Sequence, residues 1–171
     1  VANYVETSTG WPLERAEMSI DGNARVDIVL GTQSSGQGHE TAFAQMITSL
    51  LGVPFDSVRL RTGDTDFVLK GSGSHSARSM RVGGHLFVQA AQQVIDKARL
   101  VVARMLECEA SDLDFELTPS AEASAAHDDV LQGGRFRVTG TDRSHTIFEI
   151  AAFACAPDNA LPDELVGPLL G

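Results

Sequence analysis

Two glycine-rich segments hold the residues of this chain that are best suited to chemistry. The first, residues 31–45 (GTQSSGQGHETAFAQ), places Gln37 between two glycines and runs into an amphipathic pattern. The second, residues 71–84 (GSGSHSARSMRVGG), brings four serines and two arginines ahead of another such pattern. A helix that begins after a glycine loop exposes unpaired backbone N–H groups and the positive end of its dipole. Phosphate is therefore the ligand that both segments favour.

The first segment departs from two familiar phosphate-binding motifs. Gln37 occupies the position of the lysine in a Walker loop, which excludes P-loop hydrolysis. Thr41 stands where a dinucleotide fingerprint needs its third glycine. What remains is a wide loop in which Gly36 and Gly38 accept unusual backbone angles, while Gln37 offers a neutral amide. The alternative is a plain glycine-rich connection with a solvent-facing glutamine.

The second segment combines small hydroxyls with a guanidinium, a set that is typical of a phosphate or carboxylate clamp. The candidate binding residues are Ser74, Ser76, Arg78 and Ser79. Ser79 also stands where a helix would be capped, and both interpretations can hold together. An acidic turn upstream, Asp64–Asp66, is placed to orient Arg78, although a simple Asx turn is the alternative.

Composition indicates an ordinary globular domain, with 43% apolar and 21% charged residues. A net charge of −10 argues against a nucleic-acid partner, because phosphate backbones need a basic surface. The charge is uneven: residues 56–104 hold eight of the 13 basic residues and only four acids. This segment fits the surroundings of an anionic cofactor, and a solvated helix face is the alternative.

Several classes of site are not expected. Cys108 and Cys155 lie far apart without a CxxC spacing, which favours a reduced, cytoplasmic protein with free thiols. The five histidines lack zinc-site spacing, and no nucleophile–base motif occurs. The apolar runs are too short to span a membrane. From this chain we therefore expect neither a catalytic residue nor a metal ligand.

Periodicity predicts the elements around the two loops. Residues 14–20 and 24–30 alternate around Asp21–Asn23, which indicates a β-hairpin. An apolar stripe containing Phe43, Ile47 and Leu50 predicts a helix over 39–51, ended by Gly52. Six apolar positions at spacings of four and three predict a longer helix from about 82 to 107. The remaining predictions are a strand over 57–62, a strand within 107–117, a hairpin around Gly133-Gly134 and a last helix from Ser144 through Ala154.

The resulting order, ββ-α-β-α-ββ-α, predicts an α+β fold. We expect a two-layer sandwich in which a mixed sheet carries about three helices on one face. Residues 1–155 should form one domain or subdomain of a larger chain. Residues 156–171, which hold three of the six prolines, are expected to be an irregular linker towards a further C-terminal part.

The two loops together resemble a known family. Residues 31–66 (GTQSSGQGHETAFAQMITSLLGVPFDSVRLRTGDTD), followed by GSGSHSARSMRVGG, are similar to the molybdenum-binding large subunit of the xanthine dehydrogenase, aldehyde oxidase and aerobic carbon monoxide dehydrogenase family. The similarity is greatest to large chains of the carbon monoxide dehydrogenase type. It extends from about residue 4 to residue 149.

This resemblance implies a molybdenum hydroxylase that acts on a small-molecule substrate. Its cofactor would be molybdopterin with molybdenum, commonly in the cytosine dinucleotide form in bacteria. Iron–sulfur clusters and FAD would lie on other domains or subunits, which are expected as partners together with the rest of the large subunit. Carried over by position, Gly36, Gln37 and Gly38 would lie near the metal. Ser74, Ser76, Arg78 and Ser79 would hold the pterin and its phosphates.

The chain also departs from the family pattern. The family's catalytic glutamate lies in a glycine-flanked motif near the C-terminus of the large subunit, and this sequence contains no such motif. We therefore expect a fragment that is inactive by itself. A stand-alone module that binds phosphate or a nucleotide without catalysis is the alternative. A structural piece that has lost the cofactor is the third possibility.

Overall fold

The computed structural model describes residues 1–5, 13–117 and 133–171 of the chain. Within these ranges the sequence forms seven strands and three α-helices. In chain order they are β1 (Ala16–Ile20), β2 (Val26–Leu30), α1 (His39–Leu51), β3 (Val58–Arg61), α2 (Gly84–Leu106), β4 (Leu113–Glu116), β5 (Arg135–Val138), β6 (Ser144–Thr146), α3 (Ile147–Cys155) and β7 (Leu169–Leu170). Two 3-10 turns (Phe55–Ser57 and Ala110–Asp112) and a π-helical segment (Ser79–Gly83) complete the described elements.

The first sheet is mixed, as predicted, and has the strand order β3-β2-β1-β7. β1 pairs with β2 in antiparallel fashion, while β2 and β3 are parallel. The predicted hairpin turn is present: the Asp21 carboxylate accepts the backbone N–H groups of Asn23 (2.9 Å) and Arg25 (3.2 Å). Burial alone would raise the pKa of Asp21, but hydrogen bonds from Asn23 and Arg25 outweigh it and hold that pKa below its ordinary value.

Helices α1 and α2 cover one face of this sheet, which confirms the α+β class. Alternate residues of β1 and β2 point into this layer and are buried, namely Met18, Ile20, Val26, Ile28 and Leu30. The predicted stripe of α2 is also buried over most of its length, at Phe87, Ala91, Val94, Ala98 and Val101. The alternating apolar residues of the strands and the apolar stripe of α2 therefore pack together in one core. No helix within the described ranges combines the length and the hydropathy needed to cross a membrane.

Helix α1 has the predicted bounds. Phe43 and Ile47 are fully buried, whereas Leu51 rather than Leu50 completes the buried stripe. Gly52 ends the helix in the left-handed conformation (φ 68°) and donates its N–H to the carbonyl of Thr48 at 2.8 Å. A residue with a Cβ would be strained at this φ, so glycine is the favoured terminator.

The remaining strands form a second, separate sheet with the order β4-β5-β6, antiparallel throughout. The predicted strand within 107–117 is β4. The hairpin expected around Gly133-Gly134 has its first arm outside the described residues. Its second arm, β5, pairs with β4 and β6. Gly134 allows a close contact here, because a Cβ at this position would lie 2.5 Å from the Leu51 carbonyl oxygen.

The start predicted for the last helix is wrong. Ser144 lies in β6 and pairs with Arg137, and helix α3 begins three residues later. Thr146 is the N-cap: the Glu149 backbone N–H donates to its hydroxyl (3.3 Å), and its own N–H donates to the Glu149 carboxylate (2.7 Å). This capping box explains the difference, because a Ser144 cap would need Glu or Gln at 147.

The segment 156–171, which we expected to be an irregular linker, instead ends in the first sheet. Strand β7 pairs with β1, and Leu165 and Leu169 are buried in the core. Gly171 and Met18 exchange two backbone hydrogen bonds of 2.8 and 2.9 Å. The prolines interrupt regular structure along the tail without preventing its return to the sheet edge.

Candidate functional site

The two glycine-rich segments lie at the same edge of the first sheet. Because β2 and β3 are parallel, their carboxyl ends meet at one edge. Residues 31–38 follow β2 directly and lead into α1, while the chain leaving β3 continues into residues 71–78. Ligands of open α/β sheets commonly bind outside the carboxyl ends of strands. The topology thus brings together two segments that are distant in sequence.

The two loops cross in backbone contact at Gly31 and Gly71. A Cβ on Gly31 would lie 2.3 Å from the Cα of Gly71, and one on Gly71 would lie 2.5 Å from the Cα of Gly31. No side chain fits at that separation, so the crossing of the two loops needs glycine at both positions. The later pair, Gly83-Gly84, serves a related purpose, since a Cβ on Gly83 would lie 2.7 Å from the Leu30 side chain.

Arg78 holds the second loop from below through a buried ion pair. Its guanidinium lies 2.6 Å from the Glu14 carboxylate, and the two side chains are 0% and 1% exposed. It also donates to the carbonyl oxygens of Gly73 (2.7 Å) and Leu13 (3.0 Å). Burial of the whole side chain places Arg78 beneath the loop and not on its ligand-facing surface. Arg78 does not line the cleft described below, and a direct contact between Arg78 and a cofactor stays a prediction.

A chain of polar side chains joins the two loops above this ion pair. The Gln37 amide donates to the Ser74 hydroxyl at 2.9 Å, and Ser74 lies 3.0 Å from the Ser79 hydroxyl. Ser79 in turn lies 2.5 Å from the hydroxyl of Thr32, which is buried. The Gln37 carbonyl accepts the backbone N–H of Ser35. Three of the predicted site residues are thus connected, and Ser79 bonds to other hydroxyls and caps no helix.

The glycines beside Gln37 adopt conformations that other residues disfavour. Gly36 has φ 108° and Gly38 has φ 71°, and each has open space where a Cβ would stand. Gly38 is also the N-cap of α1 and offers no side chain to the helix, so the first-turn N–H groups lack a side-chain cap. An uncapped helix end with space beside it is a favourable position for an anion.

In the second loop, Ser76 and Ala77 have positive φ values of 48° and 50°. This conformation is uncommon for residues with a Cβ and costs free energy, which the surrounding contacts must offset. The imidazole of His75 lies 3.1 Å from the Ser76 hydroxyl and 3.2 Å from the Ser72 carbonyl oxygen. Ser76, also a predicted site residue, is therefore held at the rim of the loop by a local contact.

A cleft of about 420 Å³ opens between the two loops. This volume lies within the range of ordinary small-molecule sites, roughly 300–1,000 Å³. Its polar lining comes from Gln37, His39, Ser74, His75, Ser76 and Ser79. The described residues that line it include no carboxylate and no lysine or arginine. The donors are thus hydroxyls, amides, imidazoles and the end of a helix, a set that suits an anionic, heteroatom-rich ligand.

A larger cleft of about 930 Å³ lies at the other end of α2, and its chemistry is different. Four carboxylates line it, against the single basic residue Arg104; they belong to Glu107, Glu109, Asp112 and Glu164. Repulsion between these groups and a phosphate disfavours that cleft for such a ligand. A choice of candidate site by cleft volume alone would therefore select the cleft that is less suitable for a phosphate.

The structure also describes the acidic turn, the basic 56–104 segment and the two cysteines. The Asp64–Asp66 segment is an Asx turn, in which the Asp64 carboxylate accepts the Asp66 N–H at 2.9 Å. Basic residues of the 56–104 segment make structural contacts: Arg61 pairs with Asp27 at 3.3 Å, and Lys97 donates to the Pro168 carbonyl. Both cysteines are free, and the described ranges contain no cluster of metal-ligating side chains.

Sequence reasoning missed Glu14, Thr32 and His39. Glu14 and Thr32 lie 64 and 47 positions from their partners Arg78 and Ser79, and no local pattern connects such pairs. His39 is 6% exposed at the start of α1. The signal that was available is its place directly after the Gly-Gln-Gly stretch, where the first helical side chain must border the loop.

Comparison with known proteins identifies the family of this domain. A family model described as molybdopterin cofactor-binding domain matches residues 1–158. This chain belongs to that family. No wider activity follows from this match alone, because the family model describes a domain.

The relatives are parts of larger proteins. The carbon monoxide dehydrogenase large chain of Afipia carboxidovorans is 32% identical over 152 residues, covering 87% of this chain and 17% of the relative. The 6-hydroxypseudooxynicotine dehydrogenase complex subunit gamma of Paenarthrobacter nicotinovorans is 31% identical over 153 residues, with the same coverage. The chain therefore spans about a sixth of the length of these two relatives.

Solved structures of larger proteins also contain this fold. Reconstituted CO dehydrogenase from Oligotropha carboxidovorans superposes with a TM-score of 0.74 at 33% identity, over 91% of this chain and 17% of that chain. Quinoline 2-oxidoreductase from Pseudomonas putida 86 gives a TM-score of 0.70 at 24% identity and supports the fold alone.

Proposed function

We propose that this chain is the part of a molybdenum hydroxylase large subunit that holds the pterin dinucleotide. The observation that carries the proposal is the cleft between the two loops, which combines hydroxyl and amide donors with an uncapped helix end and no carboxylate. Membership of the molybdopterin cofactor-binding family supports the identity of the ligand. When bound, the cofactor would supply the redox chemistry that adds a water-derived oxygen to the substrate.

The first loop supplies the amide and the space. Gln37 uses one amide hydrogen for Ser74, which leaves its second N–H available to an acceptor in the cleft. Gly36 and Gly38 keep side chains away from the backbone, so that a ligand can reach the N–H groups at the start of α1. These three residues would border the pterin and the metal.

The second loop supplies hydroxyls from Ser74, Ser76 and Ser79, which can donate to phosphate and accept from ring N–H groups. We assign Arg78 a positioning role, since its guanidinium is buried against Glu14 and supports the loop that carries these serines. No residue of the described ranges is assigned a proton-transfer step. The catalytic base would come from another part of the large subunit.

The wider setting is also part of the proposal. The cofactor would take the cytosine dinucleotide form, and iron–sulfur clusters and FAD would lie on other domains or subunits. The names of the relatives, "large chain" and "complex subunit", support an assembly of several parts. The two free thiols, Cys108 and Cys155, support a reducing, cytoplasmic compartment. The substrate would be a small molecule, selected by residues outside this chain.

The test is the cofactor content of the full-length protein, purified from a host that makes the cofactor. Mass spectrometry should detect molybdenum and a cytosine nucleotide released from the pterin, each near one equivalent per large subunit. Gln37→Ala should lower both contents, whereas Gln45→Ala, at an exposed position of helix α1, should leave them unchanged. A folded full-length protein that holds neither molybdenum nor pterin would contradict the proposal. A native gene that encodes only this stretch would favour a stand-alone nucleotide-binding module.

A further inference from the structure

A buried hydroxyl lies at the inner end of the polar chain that joins the two loops. Thr32 follows β2 directly after Gly31, is 1% exposed, and does not line the cleft. Its hydroxyl lies 2.5 Å from the Ser79 hydroxyl, and the described part of the chain offers it no other hydrogen-bond partner. A buried O–H group without an acceptor carries an uncompensated cost of desolvation. The Thr32 hydroxyl therefore donates to Ser79, because the opposite direction would leave its own hydrogen buried without an acceptor.

The outer end of the same chain also has a fixed direction. The backbone N–H of Ser35 can only donate, so the atom of the Gln37 amide that it contacts is the carbonyl oxygen. The amide nitrogen of Gln37 then faces Ser74 and donates to its hydroxyl at 2.9 Å. Donors from the first loop thus enter the pair formed by Ser74 and Ser79 at both of its ends.

The two serines between these donors hold one hydrogen more than their mutual contact can use. They contribute two hydroxyl hydrogens, and the contact of 3.0 Å between Ser74 and Ser79 takes one of them. The other cannot return along the chain, because Thr32 and Gln37 both donate towards the serines. Both serines line the cleft of about 420 Å³, so the remaining hydrogen is available there. A hydrogen-bond acceptor, either an oxygen or an unprotonated ring nitrogen, is the ligand group that satisfies it.

We propose that Thr32 is a positioning residue, which fixes the direction of this chain and makes the Ser74–Ser79 pair a hydrogen-bond donor to an acceptor atom of the bound molecule. The proposal rests on the proposed function, in which that molecule is the pterin dinucleotide. It narrows the role of the two serines from donor or acceptor to donor. A hydroxyl that accepts a hydrogen bond becomes a stronger donor, so Thr32 also strengthens the contact with the ligand.

The first measurement is the urea unfolding of the cofactor-free, full-length protein. Ser79→Ala removes the partner of the Thr32 hydroxyl and should lower the unfolding midpoint. The double variant Thr32→Val/Ser79→Ala should unfold at a higher urea concentration than Ser79→Ala, because valine keeps the shape of threonine and leaves no hydroxyl to satisfy. A double variant that is no more stable than Ser79→Ala would show that the Thr32 hydroxyl has another acceptor, which would overturn the proposal.

The second measurement is the rate at which the folded, cofactor-loaded protein loses molybdenum and nucleotide during dialysis. Thr32→Val should raise this rate about two- to tenfold, the range for one net hydrogen bond. Thr32→Ser keeps the hydroxyl and should restore the wild-type rate. Thr48→Val is the matched control, because the Thr48 hydroxyl is inaccessible to solvent, has no partner in the described ranges and lies outside the cleft lining. It should match the wild type.

A wild-type rate in Thr32→Val, or a fast rate that Thr32→Ser fails to restore, would overturn the positioning role. If Thr32→Val does not fold, Thr32→Ala gives the same comparison, since it also removes the hydroxyl. A folded wild-type protein without molybdenum or pterin would contradict the proposed function. The urea comparison would still decide the contact between Thr32 and Ser79, because it uses protein without cofactor.

Discussion

At the scale of single residues, the site depends on a side chain that never reaches its surface. Arg78 lies beneath the second loop, where it joins Glu14, Gly73 and the backbone of Leu13. The Glu14 carboxylate also accepts the Ser72 N–H at 3.4 Å, so one buried acid supports both ends of the loop. The ion pair thus fixes the segment that carries Ser74, Ser76 and Ser79.

Arg78→Met should destabilise the protein strongly, because it leaves the Glu14 charge buried without its partner. We expect a loss of about 3–5 kcal/mol in the free energy of unfolding, measured by urea denaturation followed by circular dichroism. The double variant Glu14→Gln/Arg78→Met should recover part of that loss, since it removes the unpaired charge. Equal stability of the single variant and the wild type would show that the pair is not a significant anchor.

Gly71→Ala should separate the two loops, since its Cβ would overlap the Gly31 backbone. We expect a loss of about 1–3 kcal/mol from this overpacking, together with a lower cofactor content of the full-length protein. Gly140→Ala is the control: it has φ 76° but open space, and it lies in the turn between β5 and β6. It should cost about 1–2 kcal/mol from the unfavourable φ and leave the cofactor content unchanged. Similar cofactor contents in the two variants would contradict this account.

At the scale of elements, the strands and helices position the loops through their ends. The parallel pairing of β2 and β3 sends both chains out at one edge, and the uncapped start of α1 faces the cleft that results. On the other side, the π-helical segment Ser79–Gly83, which precedes α2, contributes Ser79 and Met80 to the lining of the cleft. Such segments are frequent at functional sites, and here one carries Ser79.

The corrected start of α3 can be tested directly. Thr146→Ala removes the capping box with Glu149 and should cost about 1 kcal/mol of stability. Ser144→Ala should change stability by less than about 0.5 kcal/mol, because Ser144 lies in β6 and caps no helix. Thermal unfolding of the two variants measures the difference. A larger effect at Ser144 would restore the helix start that the sequence pattern first suggested.

The β1–β2 turn should show a pH-dependent contribution to stability. The pKa of Asp21 is lowered in the folded state, so its contribution is present above the unfolded-state pKa, about 3.9, and is lost as pH falls through the folded value. Asp21→Ala should therefore destabilise the protein by about 0.5–1.5 kcal/mol at pH 7, from the lost hydrogen bonds. Near pH 2 the variant and the wild type should unfold alike. A difference that persists unchanged in acid would contradict the role of the ionised carboxylate.

At the scale of the whole molecule, local patterns predicted the elements better than they predicted the contacts between them. The bounds of α1 follow from local signals, because the buried stripe lies within the helix and Gly52 directly follows it. The division of the strands between two sheets and the return of β7 to β1 depend on pairings between distant residues. The same reason explains why the serines were identified as a candidate site while Glu14 and Thr32 were missed.

The arrangement of the two loops predicts where a cofactor would lie. Residues 31–38 and 71–79 should form one wall of its site, while the remaining walls and the catalytic base should come from the rest of a large subunit. The share of the relatives that the chain covers, 17%, is consistent with a single wall. The most direct measurement is an experimental structure of the full-length protein with its cofactor bound. The account predicts the pterin dinucleotide in the cleft, with Gln37 and Ser74 at hydrogen-bond distance, about 3 Å. A cofactor bound elsewhere, or a cleft filled by side chains of a neighbouring domain, would contradict it.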